Sequence, residues 1–375
     1  MRFGSELKVH LPKLAHNLEE IKKLSPKSET LFMVKANAYG HGMVEVSQYA
    51  FHHNNIRNFG CASLAEALHF RKNLTDLKTD LYVFSDLSLF DSQYFSTYQE
   101  NKILPVISDL SQLEIFLQSK EFRFVPLVLK FNTGMYRLGI DHTDVSKVID
   151  LIKKSGRTSI YHLMTHLSSS GLPINQNRRS REQYSRFQEL KNTFKASGIE
   201  VERTSISNSG AIEQGLGIEE SHVRPGIMAY GPTSLMNFSE SKWTGKNIST
   251  LKSKIIKVFL AERGTPLGYG GTIIPEKSLV VIVALGYGDG VGRYYSGLTK
   301  KMHGHQGKIF GRVNMDMVSF LFPPEAQKDI KLHEDFIFWD EEANEVNRMA
   351  EMIGTISYEL FCNLSIRVPR IYSLE

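Results

Sequence analysis

The first two thirds of the chain alternate between short apolar runs and longer stretches whose apolar residues have helical spacing. Leucine and isoleucine recur every three or four residues over 11–24, which predicts a first helix, and the S-x-x-E spacing of Ser63 and Glu66 predicts the start of another. The short apolar runs lie at 31–34, 81–84, 104–107, 127–129, 160–164, 204–206 and 221–228. Such unbroken apolar strands, alternating with helices, are typical of a parallel sheet covered on both faces. About eight strands in roughly 220 residues favour a closed (β/α)8 barrel over an open sheet.

The pattern changes near residue 232. The segment 232–252 is rich in Ser, Thr, Asn and Lys and has no sustained period, which is typical of a linker or boundary. Beyond it, Gly and Pro separate short strand-like runs, as in an antiparallel sheet, and one helix is predicted over 342–352. These runs lie at 254–260, 279–285, 308–310, 318–322 and 336–338. The sequence therefore predicts a barrel domain over 11–235 and a mainly antiparallel β domain over 236–375, with which residues 1–10 pair.

The composition is that of a globular protein, with 41% hydrophobic and 23% charged residues in a chain of 375. Basic residues exceed acidic ones by 45 − 40 = +5 but form no block, so we expect no nucleic-acid partner. Two cysteines, Cys61 and Cys362, cannot supply a disulfide framework or a zinc site, and we expect no metal. No signal-peptide-like segment opens the chain, and the longest apolar run, 279–285, is too short to span a bilayer. We therefore expect a cytoplasmic protein that binds no membrane.

Lys35 is the first candidate for chemistry, because functional residues of a (β/α)8 barrel lie where strands end. It follows the apolar run 31–34 directly and stands in the string VKANAYGHG at 34–42. A lysine buried at such a point can have a lowered pKa, and its free amine can then form a Schiff base. A lone lysine at a strand end is usually only solvated. The flanking Ala and Gly residues favour the functional interpretation here, because they permit the close approach of a flat ligand.

The same strand-end rule selects His166, Asn208 and Ser209, together with the segment 224–227 on the next apolar run. A lone histidine is more often structural, and N-S-G is an ordinary turn. Their positions nevertheless place them on one face of the barrel. Ser209 and the backbone N–H groups around Gly226 come late in the barrel, where phosphate sites recur, and they predict a phosphate-binding cradle.

Nine motifs in order make the chain similar to the pyridoxal-phosphate-dependent alanine racemases over almost its whole length. VKANAYGHG matches the cofactor-lysine motif of that family nearly letter for letter. The other motifs are LKFNTGMYRLG (129–139), MTH (164–166), SNSG (207–210), VRPGIMAYG (223–231), GYGGT (268–272), GYGDG (286–290), GRVNMDM (311–317) and ISYE with RVPR (356–370). The resemblance implies an N-terminal (β/α)8 barrel, a C-terminal β domain and interconversion of L-alanine and D-alanine through a substrate–cofactor aldimine.

The resemblance also implies how pyridoxal phosphate is held. Lys35 would carry it as an internal aldimine and exchange it for the substrate amine. Arg224 would face the pyridine nitrogen, where most pyridoxal enzymes place a carboxylate. Because a guanidinium is permanently charged, it cannot accept the ring proton, and the resulting weaker electron sink suits a racemase. The phosphate and ring would be held by Tyr39, Asn208, Ser209, Gly226, Ile227 and Tyr358.

Racemisation needs one group on each face of Cα, one to remove the proton and one to return it. By resemblance, Lys35 serves one face and Tyr269 the other. An unperturbed tyrosine has a pKa near 10, and His166 and Arg224 would assist Tyr269 through a chain of hydrogen bonds. In the family this tyrosine comes from the partner subunit, which implies a head-to-tail homodimer with shared active sites.

The substrate carboxylate is expected to pair with Arg137, whose guanidinium can donate two parallel hydrogen bonds. By resemblance, Met315 offers a backbone N–H from the partner subunit, Tyr287 and Tyr358 narrow the entrance, and Asp316 positions neighbouring groups. Lys130 carries a carbamate in many relatives, so we expect carbamylation here as well. The family has an aspartate where this chain has Asn132.

Three other activities share parts of this pattern. A racemase of broader specificity, acting on serine or basic amino acids, would share every motif and differ only in the pocket walls. A decarboxylase on the same fold is disfavoured by Arg224, because decarboxylation benefits from a protonated ring. A non-catalytic carrier of pyridoxal phosphate is disfavoured by the roughly 140 residues after position 235.

Overall fold

The computed structural model describes residues 4–375, and their first part alternates strand and helix. In chain order the elements are β1 (Ser5–His10), α1 (Leu11–Leu24), β2 (Glu29–Met33), α2 (Lys35–Tyr39), α3 (Met43–Asn54), β3 (Asn58–Cys61), α4 (Leu64–Asn73), β4 (Asp80–Val83), α5 (Phe95–Glu100), β5 (Ile103–Ile107), α6 (Leu110–Gln118), β6 (Val128–Asn132), β7 (Ile140–Asp141), α7 (Val145–Lys154), β8 (Ser159–Ile160), β9 (His162–Met164), α8 (Arg178–Ser197), β10 (Glu200–Val201), β11 (Thr204–Ser205), α9 (Ser209–Glu213) and β12 (His222–Val223).

Eight of these strands form a closed parallel barrel, as the sequence predicts. Each strand pairs with the next in the order β2, β3, β4, β5, β6, β9, β11 and β12, and β12 pairs with β2 to close the ring. The strands are short and largely buried, and all five residues of β5 are buried. Residues without polar side chains can fill both faces of such strands, because helices cover the outside.

The first helix illustrates why the outer layer forms where it does. Pro12 lies in the first turn, where its missing N–H costs nothing, and Leu14, Leu18 and Ile21 are buried on one face. Ser25 ends the helix by donating from its backbone N–H to the carbonyl of Ile21. The predicted helix over 11–24 is thereby confirmed.

The predicted strand over 221–228 is wrong beyond its first residues. β12 ends at Val223, and Pro225 follows, which has no N–H to give to a strand partner. The chain then makes a 3-10 turn over Ile227–Tyr230. Arg224 and Gly226 therefore lie just past the strand, at the same end of the barrel as the other candidate residues.

The second part of the chain is mainly antiparallel, as predicted. Its elements are β13 (Ser249–Ala261), β14 (Pro266–Leu267), β15 (Thr272–Ile273), β16 (Ser278–Val283), β17 (Thr299–Met302), β18 (His305–Ile309), β19 (Val318–Phe322), β20 (Asp335–Trp339), α10 (Ala343–Met352), α11 (Ser357–Cys362) and β21 (Arg370–Ser373). One sheet runs in the order β17, β18, β19, β16, β13, β1 and β21, and β20 also pairs with β13. Strand β1, from the start of the chain, thus pairs antiparallel with β13 and parallel with β21.

The end of the predicted boundary segment 232–252 is also wrong, because β13 begins at Ser249. Alternate residues Ser249, Leu251, Ser253 and Ile255 are buried along this strand. Two of these four residues are serines, so apolar residues do not occupy every second position. The alternation that would predict the start of this strand from the sequence is therefore missing. Within residues 4–375, no helix has the length and apolar character needed to cross a bilayer.

Candidate active site

A cavity of about 290 Å³ lies at the carboxyl ends of the barrel strands. Residues reach it from the ends of β2, β4, β6, β9, β11 and β12 and from helix α11, so six strands and the second part of the chain contribute. The lining residues are Met33, Lys35, Tyr39, Phe84, Ser85, Lys130, Arg137, Met164, Thr165, His166, Asn208, Ser209, Arg224, Gly226 and Tyr358. The carboxyl end of a (β/α)8 barrel is where active sites of this fold lie.

Lys35 begins a left-handed turn, a conformation that L-residues rarely adopt. The next four residues, 36–39, all have φ between 51° and 55°. Backbone hydrogen bonds from Ala38 to Val34 (2.7 Å) and from Gly40 to Ala36 (2.9 Å) close the turn. A left-handed residue other than glycine costs roughly 1–2 kcal/mol, so the surrounding structure must hold this turn in place.

Glu66 holds the start of that turn. Its carboxylate accepts 2.7 Å hydrogen bonds from the backbone N–H groups of Ala36 and Ala62, one on each oxygen. The capping-box prediction is therefore half confirmed. Ser63 accepts from the N–H of Glu66 at 3.3 Å and caps α4, but Glu66 does not return to Ser63. The Glu66 carboxylate instead accepts from the backbone beside Lys35, a contact between distant residues that a four-residue sequence motif does not predict.

The cavity gathers positive charge. Burial lowers the pKa of the Lys35 amine, and the charge of Arg137 lowers it further. Burial, followed by the charges of Arg137, Arg224 and Lys35, lowers the pKa of Lys130 to about 7. Both shifts favour the neutral amine, which a nucleophile or base requires, and Lys130 has an accessible neutral form near neutral pH.

Arg224 is buried beside these amines, and burial lowers its pKa to about 10. Its guanidinium donates to Ser205 Oγ and to the carbonyl oxygens of Thr165 and Ile206, all neutral acceptors. Burial and the charge of Arg224 hold the pKa of His166 well below its usual range, so its imidazole is neutral. In the described chain no hydrogen bond joins the His166 ring to Arg224.

The predicted phosphate cradle has its parts in contact. Ser209 Oγ accepts hydrogen bonds from the backbone N–H groups of Gly226 (3.0 Å) and Met228 (3.4 Å). A Cβ at Gly226 would lie 2.5 Å from Tyr39 Oη, so only glycine fits there. The rings of Tyr39 and Tyr358 lie 5.9 Å apart on the same side. The result is a small site of hydroxyl and amide groups beside Lys35.

Asn132 stands where the resemblance predicts an aspartate, and it makes local hydrogen bonds. Asn132 Oδ1 accepts from the N–H groups of Gly134 (3.1 Å) and Tyr136 (2.9 Å), which shapes the loop before Arg137. Its Nδ2 lies 3.5 Å from a carboxylate oxygen of Asp141, to which it donates. An aspartate here would face that carboxylate with a like charge.

Not every candidate residue lines the cavity. Ile227 is fully buried in the turn after Gly226. Tyr269, Tyr287 and Met315 lie on the surface of the second part of the chain, with 72%, 45% and 51% of their surface exposed. Asp316 is paired there with Arg367 at 2.7 Å. These four surface residues are not brought to the Lys35 cavity within one chain.

The cavity also includes residues that the sequence reasoning missed. Met33 ends β2, Phe84 and Ser85 follow β4, Met164 ends β9 and Thr165 follows it. The strand-end rule that selected Lys35 applies to each of them, so position could have found them. Within the part of the chain that the structure describes, no group of three or more His, Cys, Asp or Glu side chains is arranged to hold a metal ion.

Comparison with known proteins gives the same result from sequence and from structure. The family profile "Alanine racemase, N-terminal domain" matches residues 9–234, and "Alanine racemase, C-terminal domain" matches 248–372. The alanine racemase of Legionella pneumophila (strain Lens) is 34% identical, over 95% of this chain and 96% of the relative. That of Mannheimia succiniciproducens is 32% identical over 98% of each chain. The alanine racemase structure from Acinetobacter baumannii superposes with a TM-score of 0.84 at 28% identity, covering 100% of both chains.

Proposed function

The chain belongs to the alanine racemase family, and from that premise we propose how its residues interconvert L-alanine and D-alanine. The observation that carries the proposal is the convergence of Lys35, Arg137, His166 and Arg224 on one cavity at the carboxyl end of the barrel. The relatives named above are alanine racemases, so the broader racemase, the decarboxylase and the cofactor carrier gain no support.

The residues of the cavity fit pyridoxal phosphate, the cofactor of this family. Lys35 offers a half-buried amine with a lowered pKa as the attachment point. Ser209 and the bare backbone at Gly226 offer neutral donors for a phosphate, with Tyr39, Ile227 and Tyr358 beside them and Asn208 at the start of α9. Arg224 offers a buried cation for the pyridine nitrogen.

Pyridoxal phosphate, when bound, withdraws electrons from the substrate and makes its α hydrogen acidic. Arg224 would donate to the ring nitrogen and could not accept a proton from it, which would leave that nitrogen unprotonated. The three neutral acceptors around Arg224 leave its positive charge undiminished. This arrangement limits charge delocalisation into the ring, which favours return of the proton to Cα.

Lys35 exchanges the α proton on one face of the substrate. Its lowered pKa increases the fraction of neutral amine that can take the proton. The opposite face needs a second group. We assign that role to Tyr269 of the partner subunit, assisted by His166 and Arg224.

The pairing implied is a head-to-tail homodimer. Tyr269 stands in the hairpin between β14 and β15, where it is largely exposed, and Tyr287 and Met315 are exposed in the same part of the chain. A two-fold pairing brings these residues of each subunit to the cavity of the other, and completes two sites at once. Tyr287 and Tyr358 would then narrow the entrance.

Arg137 binds the substrate carboxylate through paired hydrogen bonds. Lys130 lies beside it, and its pKa of about 7 leaves neutral amine available to react with CO₂. The resulting carbamate would place a negative charge among Arg137, Arg224 and Lys35. Native intact-protein mass spectrometry with CO₂ present should find the added mass of one CO₂, absent in Lys130→Met. A bare amine at Lys130 would contradict the carbamate.

The activity is tested by incubating purified protein with single L-amino acids and separating D-isomers by chiral chromatography. We expect D-alanine as the main product. Lys35→Ala should abolish both the visible cofactor absorbance and the activity, whereas Lys153→Ala, on the outer surface of α7, should change neither. Undiminished activity in Lys35→Ala would overturn the cofactor assignment.

Shared active sites are tested by mixing two inactive variants. Lys35→Ala and Tyr269→Phe subunits, unfolded and refolded together, should regain about a quarter of the wild-type activity, because half the dimers are mixed and each has one intact site. The same variants refolded separately serve as controls. Failure of the mixture to exceed the separate variants would contradict the contribution of Tyr269 across the interface.

A further inference from the structure

A line of hydrogen-bonded side chains runs through the interior of the barrel, away from the cavity. It begins at Arg224, which donates to Ser205 Oγ, and Ser205 Oγ lies 2.9 Å from His162 Nε2. His162 Nδ1 lies 3.2 Å from Tyr82 Oη, which also accepts from Arg203 at 3.3 Å. Ser205 and His162 are fully buried, and neither belongs to the cavity lining.

The hydrogen bonds at the two ends of this line have a fixed direction, because a guanidinium can only donate: Ser205 Oγ accepts from Arg224, and Tyr82 Oη accepts from Arg203. Two tautomers of the neutral His162 ring satisfy the contacts between them. In one, Ser205 donates to Nε2 and Nδ1–H donates to Tyr82 Oη; in the other, Nε2–H donates to Ser205 Oγ and Tyr82 donates to Nδ1. In both, His162 is bonded to Ser205 and restricts the hydroxyl that accepts from Arg224.

Burial supports the neutral form. Burial, followed by the electrostatic effect of His222 and the positive charges of Arg224 and Arg203, holds the pKa of His162 well below its usual range. The Tyr82 ring packs edge-on against His162, with centroids 5.5 Å apart. The packing fixes the orientation of the imidazole.

We propose that Ser205 and His162 are positioning residues that fix the Arg224 guanidinium for the cofactor ring. Arg224 is buried and forms no ion pair within residues 4–375, so neutral acceptors alone determine its orientation. Two of these are backbone carbonyls, and Ser205 is the one side chain that His162 can orient. The inference rests on the proposed function, in which Arg224 faces the pyridine nitrogen.

The chain provides two matched controls. Ser207 is a buried serine two residues from Ser205, but its hydroxyl donates to the carbonyl of Leu216. His222 is a second buried histidine, 5.0 Å from His162 between ring centroids, whose Nδ1 bonds to Ser221. Replacing either control side chain leaves the hydrogen bonds of the Arg224 guanidinium in place, and the backbone carbonyl of Ser207 still accepts from the Arg224 N–H.

The experiment compares Ser205→Ala with Ser207→Ala, and His162→Phe with His222→Phe. Pyridoxal phosphate is titrated into cofactor-free protein, and visible absorbance gives the dissociation constant and the position of the absorption band. Loss of one hydrogen bond to a charged group should weaken binding about tenfold in Ser205→Ala and shift the band. His162→Phe should change both in the same direction, because the Ser205 hydroxyl loses the partner that orients it. The two controls should bind like wild type. His162→Gln, whose amide can accept from or donate to the Ser205 hydroxyl, should recover most of the affinity.

Each outcome decides a separate question. If wild-type protein binds no pyridoxal phosphate, the proposed function is wrong, and this inference with it. If wild type binds and racemises alanine while test and control variants bind alike, only the positioning role is wrong. Thermal unfolding of the cofactor-free variants identifies any that do not fold. Should Ser205→Ala be one of them, Ser205→Cys, which keeps the volume but accepts weakly, takes its place with the same expected loss.

Discussion

Glu66 is expected to maintain the backbone conformation at Lys35, although it does not line the cavity. Its two carboxylate oxygens accept from Ala36 and Ala62, and Ala36 is the first left-handed residue after Lys35. Glu66→Gln keeps the size of the side chain but leaves one acceptor oxygen. Either Ala36 or Ala62 must then face an NH2 group with its own N–H. We expect the strained turn to lose this contact, because Ala62 belongs to the same local segment as Glu66.

The magnitude follows from the bonds lost. A hydrogen bond to a charged group contributes roughly 1.5–3 kcal/mol, and the half-exposed position of Glu66 reduces this to about 1–2 kcal/mol. In a domain of this size that corresponds to a fall in melting temperature of about 2–8 °C. The rate at which cofactor is lost from the holoenzyme should rise as well, because Lys35 is the attachment point.

Glu45 provides the matched control for this change. It is the third residue of α3, as Glu66 is the third residue of α4, so both charges interact equally with a helix N-terminus. In residues 4–375, Glu45 accepts no backbone hydrogen bond from another element. Differential scanning calorimetry and cofactor loss should therefore separate Glu66→Gln from Glu45→Gln. Equal effects of the two variants would refute the reasoning, since helix electrostatics would then explain both.

Three further outcomes are expected. Ala36→Gly should raise the free energy of unfolding, measured with denaturant, by about 0.5–1 kcal/mol, because glycine adopts the left-handed conformation without strain. The control Ala65→Gly, in the right-handed helix α4, should lower it. Arg137→Lys should raise the KM for alanine about tenfold, because lysine cannot donate the paired hydrogen bonds, and it should leave the cofactor absorption band unchanged. An unchanged KM would exclude Arg137 from carboxylate binding. In CO₂-free buffer, wild type should gain stability relative to Lys130→Met as pH rises from about 7 to about 10, because the unfolded chain binds the extra lysine proton in that range. If the difference in unfolding free energy between wild type and Lys130→Met did not change with pH, the Lys130 amine would be solvated rather than buried.

The strand-end rule predicted the cavity from the sequence because it depends only on the order of local elements. Lys35, His166 and Asn208 all follow short apolar runs, and each of these runs is a barrel strand. The rule does not depend on the exact length of a strand. The sequence pattern extends the last barrel strand through residues 224–227, whereas β12 ends at Val223, and these residues still lie at the carboxyl end of the barrel.

Contacts between distant residues could not be predicted in this way. His162 meets Tyr82, which lies 80 positions earlier, inside the barrel, and Glu66 meets Ala36 from another helix. Each contact depends on how strands are staggered around the ring, which no local period encodes. The left-handed turn is equally hidden, because Ala36 and Ala38 are ordinary helix formers and only the surrounding structure imposes their positive φ.

The basic side chains that line the cavity favour anionic ligands. Lys35, Lys130, Arg137 and Arg224 line it, and none of its lining residues is Asp or Glu. Without negative charge nearby, the mutual repulsion of these groups raises the electrostatic free energy of the folded protein. The lowered pKa of Lys35 and of Lys130 reflects that repulsion and the burial of both amines. A cofactor phosphate, a substrate carboxylate and a carbamate on Lys130 would each supply negative charge where the protein supplies none. The net charge of +5 is too small and too dispersed to attract such ligands specifically, and the selectivity resides in four basic side chains that the barrel brings together.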